Sequence, residues 1–215
     1  MNCAIKHIQG LHGQSALSWG GPDRNSAGVK KKHIVSDVST TGSCQWRMAS
    51  QREFSAHMIE VSAIESALST TYYAKNGQRN VPSAGSLYPL RLIASSSVSG
   101  ELFELNEHGR LQQLSGFITN SNTLSECVYG QCSGSYWLVM IVGSLAEITN
   151  RYGIRAYRYL LLEAGHAAQE LIHQSSIKKW ASCCIGAFDD ELVQRVVGIS
   201  LLDEIPLYTV ALGLD

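Results

Sequence analysis

Two short stretches of this chain gather residues able to do chemistry. Arg79-Asn80-Val81-Pro82-Ser83-Ala84-Gly85 sets one arginine before a small, hydroxyl-bearing loop that ends on glycine. Such a loop offers backbone N–H groups and a cation to a phosphate or to the edge of a planar ring. The same composition also suits an ordinary turn. The second stretch, Arg151-Tyr152-Gly153-Ile154-Arg155-Ala156-Tyr157-Arg158-Tyr159, packs three arginines and three tyrosines into nine residues. On one continuous helix Arg151, Arg155 and Arg158 share a face at i, i+4 and i+7. A positive face interleaved with aromatics suits an anionic or planar partner, and a solvated face or a subunit interface is the competing reading. The chain has no G-x-G-x-x-G, Walker loop, H-E-x-x-H or G-x-S-x-G, so common nucleotide, metalloprotease and hydrolase readings lack their local signatures. Six cysteines include no C-x-x-C pair; no metal site is expected, and the thiols read as reduced and partly buried. Cys183-Cys184, Trp137 and Trp180 read as core, His166 as a packed histidine, and Glu163 as an ion-pair partner for Arg158 or Arg155.

The elements that must position these residues are legible from about residue 50. Ser62-x-x-Glu65 has capping-box spacing and, with Ile64, Ala67, Leu68 and Thr71 on one face, predicts a helix over 62–74 that Asn76-Gly77 ends. Strands are expected at 90–94 and 101–105, with His108-Gly109 as the following turn. Tyr136–Val142 is a continuous apolar run, read as a strand buried on both faces. Ile154, Tyr157, Leu161, Ala164, Ala168 and Leu171 mark the buried stripe of a long helix over 154–175. Asp189 caps a shorter helix through Val197, and Tyr208–Leu212 reads as a closing strand. Strands and helices do not alternate regularly, which favours an α+β layer fold. Residues 1–45 are glycine-rich with a basic knot at Lys30-Lys31-Lys32-His33, and read as a loosely ordered arm ahead of a domain over 46–215.

Composition narrows the class. The 215 residues are 45% apolar and only 16% charged, with a formal net charge of −1. Nucleic-acid binding is disfavoured, because it draws on a basic excess this chain lacks. Intrinsic disorder is disfavoured by the apolar fraction. The N-terminus has no apolar signal core, and the longest apolar run is too short to span a bilayer, so a cytoplasmic protein without membrane contact is expected.

Pro82-Ser83-Ala84-Gly85-Ser86-Leu87-Tyr88-Pro89, Arg151-Tyr152-Gly153 and Tyr157-Arg158-Tyr159-Leu160-Leu161-Leu162-Glu163-Ala164-Gly165-His166-Ala167-Ala168-Gln169 occur in that order. Ile185-Gly186-Ala187-Phe188-Asp189-Asp190 and Glu204-Ile205-Pro206-Leu207-Tyr208 follow them. In combination they resemble the SagB-type flavin dehydrogenases over roughly residues 50–213. That is a branch of the FMN-dependent nitroreductase-like fold which includes the azoline oxidases of peptide natural products. The resemblance implies an α+β fold with a central mixed or antiparallel sheet flanked by helices. It also implies a homodimer with FMN at its interface, a modified peptide as substrate, and a cyclodehydratase complex as a further partner.

By the same resemblance, Ser50 and Arg52 of Ser50-Gln51-Arg52-Glu53-Phe54 belong to the FMN site. The arginine pair expected just upstream is Met48-Ala49 here, so some of that phosphate contact is missing or comes from Arg47 or Arg79. Pro82, Ser83, Ala84 and Gly85 match the loop against the isoalloxazine ring. Gly186 and Ala187 match a second loop that is usually Gly-Gly, and alanine fits there if its φ is negative. The family's Lys-Tyr pair is Arg151-Tyr152 in this chain. Arginine stays charged and is a very poor base, so Tyr152 is the expected base and Arg151 its electrostatic helper. The reaction implied is oxidation of a thiazoline or oxazoline to a thiazole or oxazole, with hydride transfer to FMN N5 and reoxidation by O2. An NAD(P)H-dependent nitro- or quinone-type reductase, and a decayed scaffold subunit of a peptide-modifying complex, are the alternatives. The few arginines are expected to fall largely at the flavin and substrate sites.

Overall fold

A computed structural model of the chain describes residues 3–17, 49–73, 79–118, 120–199 and 203–215. Its elements are α1 (Cys3–Leu17), α2 (Val61–Tyr72), β1 (Leu90–Ser96), β2 (Glu101–Leu105), β3 (Leu111–Ile118), α3 (Ser121–Cys127) and β4 (Tyr136–Ser144). After these come α4 (Ala146–Tyr152), α5 (Ala156–Ile177), β5 (Ala181–Ile185), α6 (Asp190–Val197) and β6 (Glu204–Gly213). The strands form one sheet in the order β3-β2-β1-β4-β6-β5, and every neighbouring pair is antiparallel.

β4 is the axis of this sheet. Successive side chains of a strand point to opposite faces, and in β4 both faces are covered. Trp137, Val139 and Ile141 pack with Ile64 and Leu68 of α2 and with Leu160, Ala164, Ala167 and Leu171 of α5. Leu138, Met140 and Val142 pack with Leu124 of α3 and with Val193, Val196 and Val197 of α6. The apolar run therefore sits between two helical layers, as its lack of alternation predicts. The closing strand is longer than its apolar centre suggests, spanning Glu204–Gly213 rather than 208–212. α6 is capped as expected: Leu192 N donates to Asp189 Oδ1 at 2.9 Å, and Gly198 closes it in the left-handed conformation. Among the described residues no helix is long and apolar enough to cross a membrane.

Several expectations are corrected. Residues 3–17 are not a loose arm but a helix, because Ile5 and Ile8, three positions apart, put two large apolar side chains on one face and bury them in the core, where α1 packs on α4 and the Gly153–Arg155 turn. The rest of the arm, with its lysine run, lies outside the described residues, as do Arg47 and Asn76-Gly77. α2 begins at Val61 without a side-chain cap, since the Glu65 carboxylate is committed elsewhere. It accepts from Arg110 Nη1 at 2.7 Å and from Leu111 N at 2.8 Å, and these donors hold it below the ordinary glutamate range. The long helix starts two residues late, after a break at Gly153 (φ 54°, ψ −135°). Its buried stripe runs through Ala156, Leu160, Glu163, Ala167 and Leu171, leaving Ile154 and Leu161 48% and 43% exposed. Not all arginines serve a site. Arg91 on β1 pairs with Glu104 of β2 at 2.6 Å and with Glu204 of β6 at 2.7 Å, pinning strands on both sides of β4 and β1.

Residues 50–55 are tied to one end of the sheet. Gln51 N donates to Ser182 O, Ser133 N to Arg52 O, and Ser55 N to Leu214 O. Gly134 (φ +84°) allows this approach, since a Cβ there would overlap the Phe54 carbonyl. Gly134→Ala is expected to cost roughly 3 kcal/mol in urea-melt stability, from combined backbone strain and overlap; a loss below about 0.5 kcal/mol, the scale of a neutral surface change, contradicts this packing.

Candidate functional site

The loop between α2 and β1 is built around a buried carboxylate. Glu163, on the sheet-facing stripe of α5, is 2% exposed. Tyr72 Oη donates to its Oε1 at 2.6 Å and Ser83 Oγ to its Oε2 at 2.6 Å. Both hydroxyls also accept from the loop backbone: Leu90 N reaches Tyr72 Oη at 3.0 Å and Tyr88 N reaches Ser83 Oγ at 2.9 Å. Burial raises the Glu163 carboxyl above its ordinary value, opposed by the Ser83 and Tyr72 donors and by the charge of Arg79. Burial beside Glu163 likewise raises the Tyr72 phenol. The ion pair expected with Arg155 or Arg158 does not form; both arginines are exposed, and no carboxylate pairs with either among the described residues. His166, expected to be packed, is exposed as well.

Arg79 serves this loop. Its guanidinium stacks 4.0 Å from the Tyr88 ring centroid and 5.2 Å from that of Tyr72, and Nη1 donates to the Tyr72 carbonyl at 3.2 Å. Pro82, Ser83 and Ala84 lead into a left-handed turn in which Gly85, Ser86 and Tyr88 have φ of 60°, 56° and 50°. Such values are uncommon for serine and tyrosine.

Arg151 and Tyr152 meet this turn. Arg151 Nη1 donates to Gly85 O at 3.2 Å, and a Cβ on Gly85 would lie 2.6 Å from Tyr152 Oη and 2.7 Å from Arg151 Nη1. Tyr152 packs edge-on to Tyr159 with ring centroids 4.8 Å apart, and the Arg151 guanidinium lies 5.6 Å from its ring. The Gly153 break prevents Arg151, Arg155 and Arg158 from sharing one helix face. It turns Arg151 and Tyr152 toward the loop and leaves Arg155 and Arg158 in solvent.

The remaining candidates lie elsewhere. Ser50 and Arg52 are exposed at the end of the sheet where β5 begins and β6 finishes. The Pro82–Gly85 loop enters at the opposite end, where Ser144 N donates to Pro89 O. The nine residues of β4 separate those ends by roughly 26 Å at strand rise. Gly186 and Ala187 follow β5 directly, with Gly186 exposed beside the Tyr208 ring and Ala187 O accepting from Gln131 Nε2 at 2.7 Å. Neither has a positive φ, so Gly-Ala satisfies the condition set by its sequence. One chain thus brings Arg79, Pro82, Ser83, Ala84, Gly85, Arg151 and Tyr152 together, and holds Ser50 and Arg52 apart from them.

Tyr72 carries no signal in the sequence, and nothing there assigns Glu163 or Tyr88 to the site. The available signal was a lone acid at the stripe position between Leu160 and Ala167. Among the described residues no cluster of His, Cys, Asp and Glu could hold a metal. Cys127 and Cys132 are buried, with thiols pushed up to about 12 by desolvation.

A sequence model described as the nitroreductase family matches residues 46–214. The chain belongs to the nitroreductase family. It is therefore a member of a family of flavin-dependent oxidoreductases. A protein of Methanocaldococcus jannaschii named as a nitroreductase is 23% identical over 172 residues, 76% of this chain and 85% of the relative. Among solved structures, the E. coli microcin synthetase McbBCD complex with truncated pro-MccB17 bound contains a similar chain. The TM-score is 0.76 at 15% identity, over 98% of this chain and 92% of that one. A nitroreductase-named structure from Anabaena variabilis gives 0.64 at 22% identity, over 78% of this chain and 36% of that one. One from Ralstonia eutropha gives 0.64 at 14% identity, over 79% and 80%. These likenesses establish the nitroreductase-like α+β fold, here with an antiparallel sheet flanked by helices.

The raised Glu163 carboxyl has a pH signature. Its folded value exceeds the ordinary 4.5, so its contribution to stability is fully present below that value and is lost as pH rises through the folded value. The stability difference between wild type and Glu163→Gln, from urea melts across pH 4–8, is expected to move against wild type above about pH 4.5 and then level off. A flat difference, or one moving toward wild type, contradicts the raised value.

Proposed function

We propose that this nitroreductase-family chain is an FMN-dependent dehydrogenase that aromatises azoline rings in a modified peptide, giving a thiazole or oxazole. The observation carrying this reading is the meeting of Arg151 and Tyr152 with the Gly85 turn, which sets a phenol and a fixed cation beside the loop matched to the flavin ring. The structural likeness to a microcin synthetase chain, which spans 98% of this one, supports the peptide as substrate class.

The residues present fit FMN as two half-sites. The Pro82–Gly85 turn offers small, backbone-rich surface to a planar ring edge. Exposed Arg52, with no carboxylate partner among the described residues, offers a cation to the phosphate, and exposed Gly186 leaves open space beside Tyr208. Because one chain holds the Pro82–Gly85 turn and Arg52 at opposite ends of its sheet, with Gly186 between them beside Tyr208, a second copy supplies the missing half, and the working unit is a homodimer. When bound, FMN supplies a hydride acceptor at N5 and returns the electron pair to O2. Oxidation of an azoline removes two hydrogens and forms one ring double bond. Tyr152, acting as the phenolate, takes one hydrogen as a proton and becomes the neutral phenol; the other leaves with its electron pair as hydride. Arg151 holds Gly85 O and keeps a positive charge beside the phenol throughout, because a guanidinium does not deprotonate.

The purified protein is expected to be yellow, to release FMN on denaturation, and to lose most of it in Arg52→Ala. Tyr152→Phe is expected to retain flavin while azoline oxidation, followed by a 2 Da mass loss per ring, falls by about 10²-fold or more. Unchanged turnover removes Tyr152 as the base. Steady NAD(P)H oxidation without azoline turnover identifies a small-molecule reductase instead, and a colourless protein that takes up no FMN overturns both enzymatic readings.

A further inference from the structure

Helix packing does not account for Glu163. It occupies the stripe between Leu160 and Ala167, where an apolar residue would avoid the desolvation that a buried carboxyl incurs. Its surroundings point to a different task. Each oxygen takes one hydroxyl, Tyr72 from α2 and Ser83 from the loop, both at 2.6 Å. Each hydroxyl in turn receives one backbone N–H, from Leu90 and from Tyr88, at 3.0 and 2.9 Å. The carboxyl thereby acts at one remove on the two amides that bracket Pro89. Within the same turn Gly85, Ser86 and Tyr88 all lie at positive φ. Left-handed serine and tyrosine persist only where their surroundings over-determine them. Arg79, stacked on Tyr88 and Tyr72, closes the arrangement from the other side.

We propose that Glu163 is the positioning residue of the flavin loop. Through Ser83 and Tyr72 it holds residues 82–90 in the strained turn that presents Gly85 to Arg151, Tyr152 and the cofactor. This inference rests on the reading of that loop as a flavin-binding element. A carboxylate suits the task because both of its oxygens accept and neither must donate. Glutamine keeps the shape but turns an NH₂ group toward one of the two hydroxyls.

The test is hydrogen exchange at the Tyr88 and Leu90 amides, measured with FMN affinity by flavin fluorescence, in wild type, Glu163→Gln and Ser83→Ala. In Glu163→Gln at least one of the two amides is expected to exchange about tenfold faster, the scale of one lost charge-assisted bond, while amides of β4 keep their protection. FMN affinity is expected to weaken about tenfold in step, because only the ordered loop binds. In Ser83→Ala the Tyr88 amide is expected to exchange faster while Leu90 does not, which keeps the proposal testable if the glutamine variant fails to fold. Unchanged exchange at both amides in Glu163→Gln, or faster exchange with FMN affinity unaltered, overturns the proposal. A wild-type protein that takes up no FMN defeats the flavin reading instead, and the exchange measurements then still decide whether Glu163 holds the loop.

Discussion

The fold depends on the burial of β4 from both sides. A strand whose odd and even residues are alike apolar has no face to give to water, so a helical layer must cover each side. α2 and α5 supply one layer, α3 and α6 the other. The same strand also organises the chemistry. The chain enters the sheet through the Pro82–Pro89 turn at one end of β4 and leaves β4 at that end through α4, which ends on Arg151 and Tyr152. At the other end, residues 50–55 are laced to Ser133, Ser182 and Leu214. The distance between the candidate groups is thus a property of the central strand, and one copy of the chain does not close it.

Much of this was legible in the sequence, because local signals and tertiary packing agree. The unbroken run at 136–142 reads as a strand covered on both faces because nothing in it alternates. Asp189 and Gly198 bound α6 by ordinary capping chemistry. Reading failed where a distant residue competes for a local signal. Ser62-x-x-Glu65 has the right spacing for a capping box, yet Arg110 and Leu111, more than forty positions away, take the carboxylate. The stripe of α5 was misphased at its start because Gly153 detaches Ile154 from the helix. α1 was missed because two isoleucines among glycines make a weak periodic pattern, and their burial comes from docking rather than propensity.

The site divides along the same line. Loop residues 82–85 and the Arg151-Tyr152 pair could be named from sequence order, since small residues and paired polar groups in sequence carry their own signal. Glu163 is visible in the sequence only as a partner for nearby arginines, because its true partners, Tyr72 and Ser83, are 91 and 80 positions distant. Arg79 was read as a phosphate cation from its place before the proline, but the planar faces of Tyr72 and Tyr88 engage it first. Arg79, assigned to an external ligand, has internal partners instead, and Glu163 exchanges an expected arginine for two hydroxyls.

The buried thiols carry a further consequence. Burial pushes the Cys127 and Cys132 thiols up to about 12, so at neutral pH they stay protonated. Peroxide attacks the thiolate rather than the thiol. Under the proposed oxidase activity, oxygen that accepts an electron pair from the flavin leaves as peroxide, and the protein works beside its own oxidant. Sheathing those sulfurs in the layer between β4 and α6 lets the fold keep cysteine as a small apolar filler without making it a target of the chemistry next door.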